Sequence, residues 1–267
     1  MGKVVCISNQ KGGVGKTTTA VNLATSVAVA ECKTLLIDID PQGNATSGLG
    51  IDPRATELSI YDCLINSTDP HEAVIKTEMP FLSLLPSNID LVGADVELVE
   101  IQNRERILSG VIAKIRDEYD YVFIDCPPSL SLITLNGLVS ADSVLIPVQC
   151  EYYALEGLGQ LLNTINLVQK SLNPKLEIEG VVMTMYDSRL RLSNQIIDEV
   201  KKYFGDKVYT TYITRNVRLS EAPSYGKPVL LYDAISSGAR NYMELGKEFL
   251  QRQPGAGTHS PAAAQAS

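Results

Sequence analysis

The residues with the most evident chemistry form one run near the start of the chain: Asn9-Gln10-Lys11-Gly12-Gly13-Val14-Gly15-Lys16-Thr17-Thr18. An apolar stretch, Val4-Val5-Cys6-Ile7, precedes it, and a helical pattern opening at Ala20-Val21-Asn22-Leu23-Ala24 follows. Strand, glycine-rich turn and helix start make up the setting that a phosphate-binding loop requires. Glycines let backbone N–H groups converge on phosphate oxygens, and the helix N-terminus contributes partial positive charge. In that setting Lys16 reaches the β- and γ-phosphates and the Thr17 hydroxyl holds Mg²⁺. The candidate nucleotide-binding residues are Lys11, Gly12, Gly13, Val14, Gly15, Lys16, Thr17 and Thr18. The loop departs from the usual G-x-x-x-x-G-K-[ST] in two ways: its first position is Gln10, and a second lysine, Lys11, follows.

Carboxylates supply the other half of such a site. Thr34-Leu35-Leu36-Ile37-Asp38 is apolar up to its last residue, as a parallel strand buried on both faces should be. It leads into Ile39-Asp40-Pro41-Gln42-Gly43-Asn44-Ala45-Thr46, a loop of acids and turn formers. Acids at the C-terminal end of a parallel strand lie where α/β sheets bind ligands. Tyr121-Val122-Phe123-Ile124-Asp125-Cys126-Pro127-Pro128 repeats the pattern, an apolar strand ending in an acid that holds Mg²⁺. Thr17, Asp125 and Asp38 are therefore the candidate metal residues. Asp40 is the candidate for orienting the attacking water, and with Lys16 and Lys11 it completes the catalytic set. Phosphoryl transfer needs mainly positioning and charge neutralisation, so few groups suffice.

The surrounding pattern supplies the elements that must hold these residues. A helix is expected from about Lys16 to Ala30, and a short one over 59–65. A strand is expected over 81–85, and 92–101 mixes apolar and acidic residues at helical spacing. An amphipathic helix is predicted over 106–116, with Ile107, Leu108, Val111, Ile112 and Ile115 inward. Further strands fit 143–148 and 180–185, with a long helix between them that reaches about Leu172. Glu151, just before that helix, reads as a buried carboxylate or a helix cap. A helix over 192–204 carries Leu192, Ile196, Ile197, Val200, Tyr203 and Phe204 on one arc, with Arg191 and Lys202 outside it. Residues 212–223 read as a loop, and a last helix fits 238–250. The fold class is thus α/β: a doubly wound, mostly parallel sheet flanked by helices, with residues 1–252 as one domain. The Pro-, Ala- and Gly-rich stretch 253–267 is expected to be a disordered tail.

Composition narrows the function. Of 267 residues 45% are hydrophobic, enough for a substantial core, and no run of about eighteen apolar residues suggests a membrane span. The chain enters its first strand at once, which leaves no room for a signal peptide. Five scattered cysteines without a C-x-x-C pair point to neither zinc nor disulfides, and His71 and His259 are too isolated for a metal site. These features imply a cytoplasmic protein. The net charge of −8 argues against a uniformly DNA-coated surface. Residues 181–252 nevertheless hold eleven Lys/Arg against eight Asp/Glu, so one face can be basic.

The loop K-G-G-V-G-K-T-T resembles the deviant Walker A loop of the ParA/MinD family of P-loop ATPases. Within that family the chain is most similar to the small chromosomal Soj/ParA partition ATPases. The runs D-I-D-P-Q-G-N-A-T-S-G-L-G, D-C-P-P-S, P-V-Q-C-E-Y-Y-A-L-E-G-L and R-N-V-R-L-S-E-A-P-S carry the likeness across nearly all of 1–252. The resemblance implies ATP and Mg²⁺ as cofactors and slow basal ATP hydrolysis. It implies an ATP-dependent homodimer in which Lys11 reaches the partner's nucleotide. It further implies sequence-independent binding to double-stranded DNA, hence a nucleoid location, and a DNA-bound ParB-type adaptor that stimulates hydrolysis. Arg189 and Arg218 match the family's DNA-contacting arginines; on chemistry alone they are equally surface ion pairs with Asp187 and Glu221. Leu190 and Thr214 stand where close relatives are expected to have Thr and Pro, and Thr214 falls in a loop expected near the adenine.

Four rival readings differ in what they need. A MinD-type membrane ATPase needs a basic amphipathic C-terminal helix, whereas this chain ends in a neutral tail. An iron-protein-like electron carrier needs cysteines that bridge two subunits, and Cys126 has no evident counterpart. An orphan ParA-like ATPase would carry another cargo on the nucleoid with the same ATP site. A binding module without turnover would use everything but Asp40. The lack of an N-terminal helix-turn-helix argues against a plasmid-type autorepressor.

Overall fold

The structure, a computed structural model, describes residues 1–151 and 154–253. Seven strands form one sheet: β1 (Lys3–Ile7), β2 (Thr34–Asp38), β3 (Ile75–Lys76), β4 (Leu82–Leu85), β5 (Tyr121–Asp125), β6 (Ser143–Gln149) and β7 (Glu177–Thr184). Their order is β3-β4-β2-β5-β1-β6-β7, and only the two-residue β3 at the edge runs antiparallel. After β1 the chain moves toward the β4 edge, and after β6 toward the β7 edge. That divergence opens a crevice outside the carboxyl ends of the central strands.

Why the central strands read as continuous apolar runs follows from their two covered faces. Val5, Ile7, Leu36, Phe123 and Leu145 point into one core, shared with the helices Lys16–Val29 and Ser237–Gln251. Val4, Cys6, Leu35, Ile37, Val122, Ile124 and Val144 point into the other, shared with Ile107–Ile115, Leu132–Ser140 and Arg191–Phe204. The five cysteines are unbridged, and all but Cys32 are buried. Among the described residues no helix is long and apolar enough to cross a membrane.

Most expected elements are present within a residue or two of their anticipated ends. Ser59 caps the helix Ile60–Ile65 through a reciprocal bond with Asp62, the capping box its S-x-x-D spacing encodes. Four expectations need correction. The stretch 212–223 is not all loop, because Asn216 accepts from the Arg218 N–H and starts a helical turn, Val217–Glu221. Leu192 and Tyr203 lie outside the buried arc of their helix, at 41% and 77% exposure, because only Ser193, Ile196, Ile197 and Val200 face the sheet. Gln253 is packed, accepting from Lys3 Nζ and donating to Glu179, so the C-terminal stretch is ordered through that residue. The rest of the expected tail, 254–267, lies outside the described residues. Finally, the helix Leu132–Ser140 was not foreseen: it is buried nearly all round, so it lacks the polar face that gives a periodic signal.

Candidate nucleotide site

The phosphate loop leaves β1 at Ile7 and enters its helix at Lys16. Asn9 anchors the entry: its Nδ2 donates to Pro147 O at 2.7 Å and its Oδ1 accepts from the Lys11 N–H at 3.0 Å. Gly13 and Gly15 have φ of +74° and +88°, a backbone state that L-residues with a side chain rarely adopt. A Cβ on Gly12 or Gly13 would meet nothing within 4 Å, so the concave side of the loop stands open. At the far end Thr184, the last residue of β7, donates from Oγ1 to Val14 O at 2.8 Å. The loop is therefore held at one shoulder by its own Asn9 on the backbone of β6 and at the other by the Thr184 side chain of β7.

Lys16 is only 7% exposed, and its Nζ donates to Lys11 O at 3.1 Å. Burial lowers its pKa, an effect opposed by the nearby Asp125, Cys126 and Asp40. The two strand-ending acids are neighbours, since Asp38 and Asp125 are partners in the β2–β5 ladder and Ile7 is partner to Asp125 on the other side. Their surroundings differ. Asp38 is fully committed: Oδ2 accepts from both N–H and hydroxyl of Thr46 at 2.8 Å, and Oδ1 accepts from the Asp40 N–H at 3.0 Å. Asp125 is equally buried, yet neither of its oxygens has a well-formed hydrogen-bond partner. Burial first, and then the charge of Asp38, push its pKa well up, while the neighbouring Thr17 hydroxyl and Lys16 ease it back.

A buried, unpaired carboxylate costs several kcal/mol unless a cation joins it, by the order of magnitude of ion desolvation. Asp125 beside the Thr17 hydroxyl would suit a divalent cation, and the open cradle of backbone donors would suit phosphate oxygens. Among the described residues no three His, Cys, Asp or Glu side chains converge to hold a metal unaided. Mg²⁺ suits that arrangement, because it binds through one or two carboxylates and completes its shell with water and substrate phosphates.

Asp40 lies at the rim of the same crevice, buried, with Oδ1 accepting from the Gln42 N–H at 2.9 Å. Lys11 points along its own subunit, with Nζ 3.4 Å from Glu151 Oε2. Glu151, expected as a buried carboxylate or a helix cap, stands past the end of β6 with its side chain 48% exposed. It also accepts from Gln149 Nε2 and lies 4.0 Å from Arg215. Thr214 is tied to Asn241 through both its N–H and its hydroxyl.

The two candidate DNA arginines lie apart from this crevice. Arg189 is 86% exposed and forms a two-pronged pair with Asp187, at 2.9 and 2.6 Å. Arg218 is paired with Glu221 at 2.7 Å and with Asp233 at 3.1 Å. Three supporting residues escape a local reading of the chain: Asn9, Thr46 and Thr184. The first lies inside the motif run, but nothing in its spacing tells that it clamps Pro147. Thr46 folds back on Asp38 only eight residues away, and Thr184 acts on a loop 170 positions earlier.

Comparison with known proteins agrees with this geometry. Residues 2–178 match the AAA domain family. The chain is 57% identical over 248 residues to the sporulation initiation inhibitor protein Soj of Bacillus subtilis, covering 93% of this chain and 98% of that protein. It is 54% identical over 252 residues to the chromosome partitioning protein ParA of Myxococcus xanthus, covering 94% and 89%. Among solved structures, the Mycobacterium smegmatis protein described as cobyrinic acid a,c-diamide synthase, bound to an ATP analog and magnesium, is similar with a TM-score of 0.81. That match has 37% identity over 92% of this chain and 93% of the other. With relatives above half identity over almost their whole length and the phosphate loop and acids in place, the chain belongs to the ParA/Soj family of chromosome-partitioning ATPases.

Proposed function

We propose that this protein is a slow, Mg²⁺-dependent ATP hydrolase that dimerises on ATP, binds DNA without sequence preference and partitions chromosomal or plasmid DNA with a ParB-type adaptor. The observation that carries the reading is Asp125, whose two buried oxygens lack partners beside Thr17 and Lys16. Backbone N–H groups of residues 12–18 hold the phosphate oxygens, and Lys16 neutralises the β- and γ-phosphates. Thr17 and Asp125 hold Mg²⁺, Asp125 directly or through water. Asp38, already saturated by Thr46 and Asp40, takes part by fixing the Asp40 loop and by raising the local negative charge. Mg²⁺ supplies charge neutralisation between phosphate oxygens. Asp40 accepts a hydrogen bond from the attacking water and holds it in line.

The sequence offers no obvious arginine finger in cis, so Lys11 of a second copy supplies the missing cation. A cation delivered in trans is worth about 10³–10⁵ in rate for nucleotide hydrolases. Arg189 and Arg218, doubled by dimerisation, contact phosphates of the duplex, and the doubling makes binding follow the nucleotide. The family likeness supports nucleoid location and the adaptor, and ParA of M. xanthus carries the partition role in its name.

Calorimetric titration of ATP with and without Mg²⁺ tests the reading. The wild type should bind MgATP far more tightly than ATP alone, and Asp125→Asn should bind both equally. If Asp125→Asn kept the full Mg²⁺ dependence, the cation would be held elsewhere and the site assignment would fall.

A further inference from the structure

Thr184 stands where three segments of the proposed machinery meet. Its hydroxyl donates to Val14 O inside the phosphate loop at 2.8 Å, across 170 positions of sequence. Its own carbonyl accepts from the Cys150 N–H at 3.2 Å, next to Glu151, which holds Lys11. The residue after it, Met185, has φ of +51°, a left-handed state that a long side chain adopts at a cost and that turns the chain sharply out of β7. From that turn Tyr186 donates to Ile213 O at 3.0 Å and accepts from the Arg215 N–H at 3.1 Å. Arg189 follows two residues after Asp187, which clasps it through backbone and side chain. The segments bearing Arg189 and Arg218 are thus both tied to the end of β7.

The Val14 contact matters because of peptide geometry. In a trans peptide the C=O and N–H of one unit point in opposite directions. Thr184 holds the Val14 carbonyl inward, and so turns the Gly15 N–H outward to the phosphate side. A phosphate oxygen that draws on the Gly15 N–H must turn the same plane, and the Thr184 hydroxyl is the group that feels the turn. Gly15 can follow because it has no Cβ and already sits at positive φ.

We propose that Thr184 is a positioning residue that couples phosphate occupancy to the arginine-bearing turns 186–191 and 214–218, so that ATP raises DNA affinity through this contact. The inference rests on the ATP and DNA reading given above and specifies how the two sites communicate. Its signature is a loss of coupling that persists at saturating ATP. Coupling between two sites in one protein is usually about 5- to 150-fold in affinity.

The test uses full-length protein in an Asp40→Ala background to prevent turnover, with saturating ATP and a random-sequence duplex. Thr184→Val keeps the shape and removes the hydroxyl; Thr184→Ser keeps the hydroxyl. ATP should tighten DNA binding at least about fivefold more in the parent and in Thr184→Ser than in Thr184→Val, where only the contribution of dimerisation remains. Amide exchange over 184–191 and 213–218 gives a second readout that needs no DNA. ATP should slow it in the parent and in Thr184→Ser, and leave it unchanged in Thr184→Val. A Thr184→Val protein with the parent's ATP effect on exchange overturns the proposal, as does a parent whose exchange in these segments ignores ATP. If exchange responds as expected while no form binds DNA, the link stands and the DNA reading falls.

Discussion

The crevice above the central strands and the arginine-bearing surface treat charge in opposite ways. In the crevice, Asp125 is buried with both oxygens unsatisfied, and Lys16 is buried against a carbonyl. On the surface, Arg189 and Arg218 are exposed but already paired with Asp187, Glu221 and Asp233. The first region holds unfilled electrostatic demand and gains on taking a cation and a polyanion. The second is neutralised by its own chain and must exchange one set of partners for another. An affinity for Mg²⁺ and nucleotide is therefore built into the monomer, whereas the proposed affinity for DNA would arise only when geometry or number shifts the exchange. That contrast is the physical reason for placing the switch on the nucleotide side.

The largest effect expected on the crevice side comes from Lys11. Lys11→Ala should retain ATP but lose ATP-dependent dimers on size exclusion, with turnover falling by about 10³-fold or more. Normal dimers in that variant would break the trans role and leave the Glu151 contact as its whole purpose. On the surface side, Arg189→Ala and Arg218→Ala should each weaken DNA binding by about 5- to 30-fold, the worth of a lost charge-assisted contact. Each should lower the slope of log affinity against log salt by about one per phosphate contact removed, with ATP affinity unchanged. An unchanged slope would leave both arginines as ion pairs only.

A smaller effect sharpens the contrast directly. Asp187→Asn removes the carboxylate that neutralises Arg189, and DNA binding should tighten by about two- to fivefold, within the range of an exposed ion pair. Looser binding would mean that Asp187 orients the arginine for DNA and does not compete for it. The smallest effect concerns His71, a surface pair remote from either region, bonded to Asp69 at 2.6 Å and Glu118 at 2.7 Å. Those two acids raise its pKa. Its contribution to stability is then fully present below the unfolded value and is lost as pH rises through the folded one. His71→Gln should lower the melting temperature slightly at pH 5.5 and not at pH 8.5. A difference independent of pH would show that packing, not charge, holds that corner.

How much of this could be read from the chain divides along the same line. The phosphate loop, Asp40 and Asp125 are legible because loop, strand and acid are contiguous, and their chemistry depends on spacing of a few residues. The strands β1, β2 and β5 are legible because burial on both faces leaves only apolar residues between their end residues. Partners distant in sequence are not: Thr184 on Val14, Asn9 on Pro147. Nor is the exposure of Glu151, which follows a buried strand but stands past its end. The helix Leu132–Ser140 escapes for the opposite reason, being too thoroughly buried to show a period. For Arg189 and Arg218, type and position suggest a role, while the ion pairs that set their strength become visible only in three dimensions.

Binding of a random-sequence duplex to Asp40→Ala protein, measured across a salt series with ATP, with ADP and without nucleotide, tests the account's central claim most directly. Tight, steeply salt-dependent binding with ATP alone is the predicted result. Binding of equal strength in all three conditions, or in none, would contradict it.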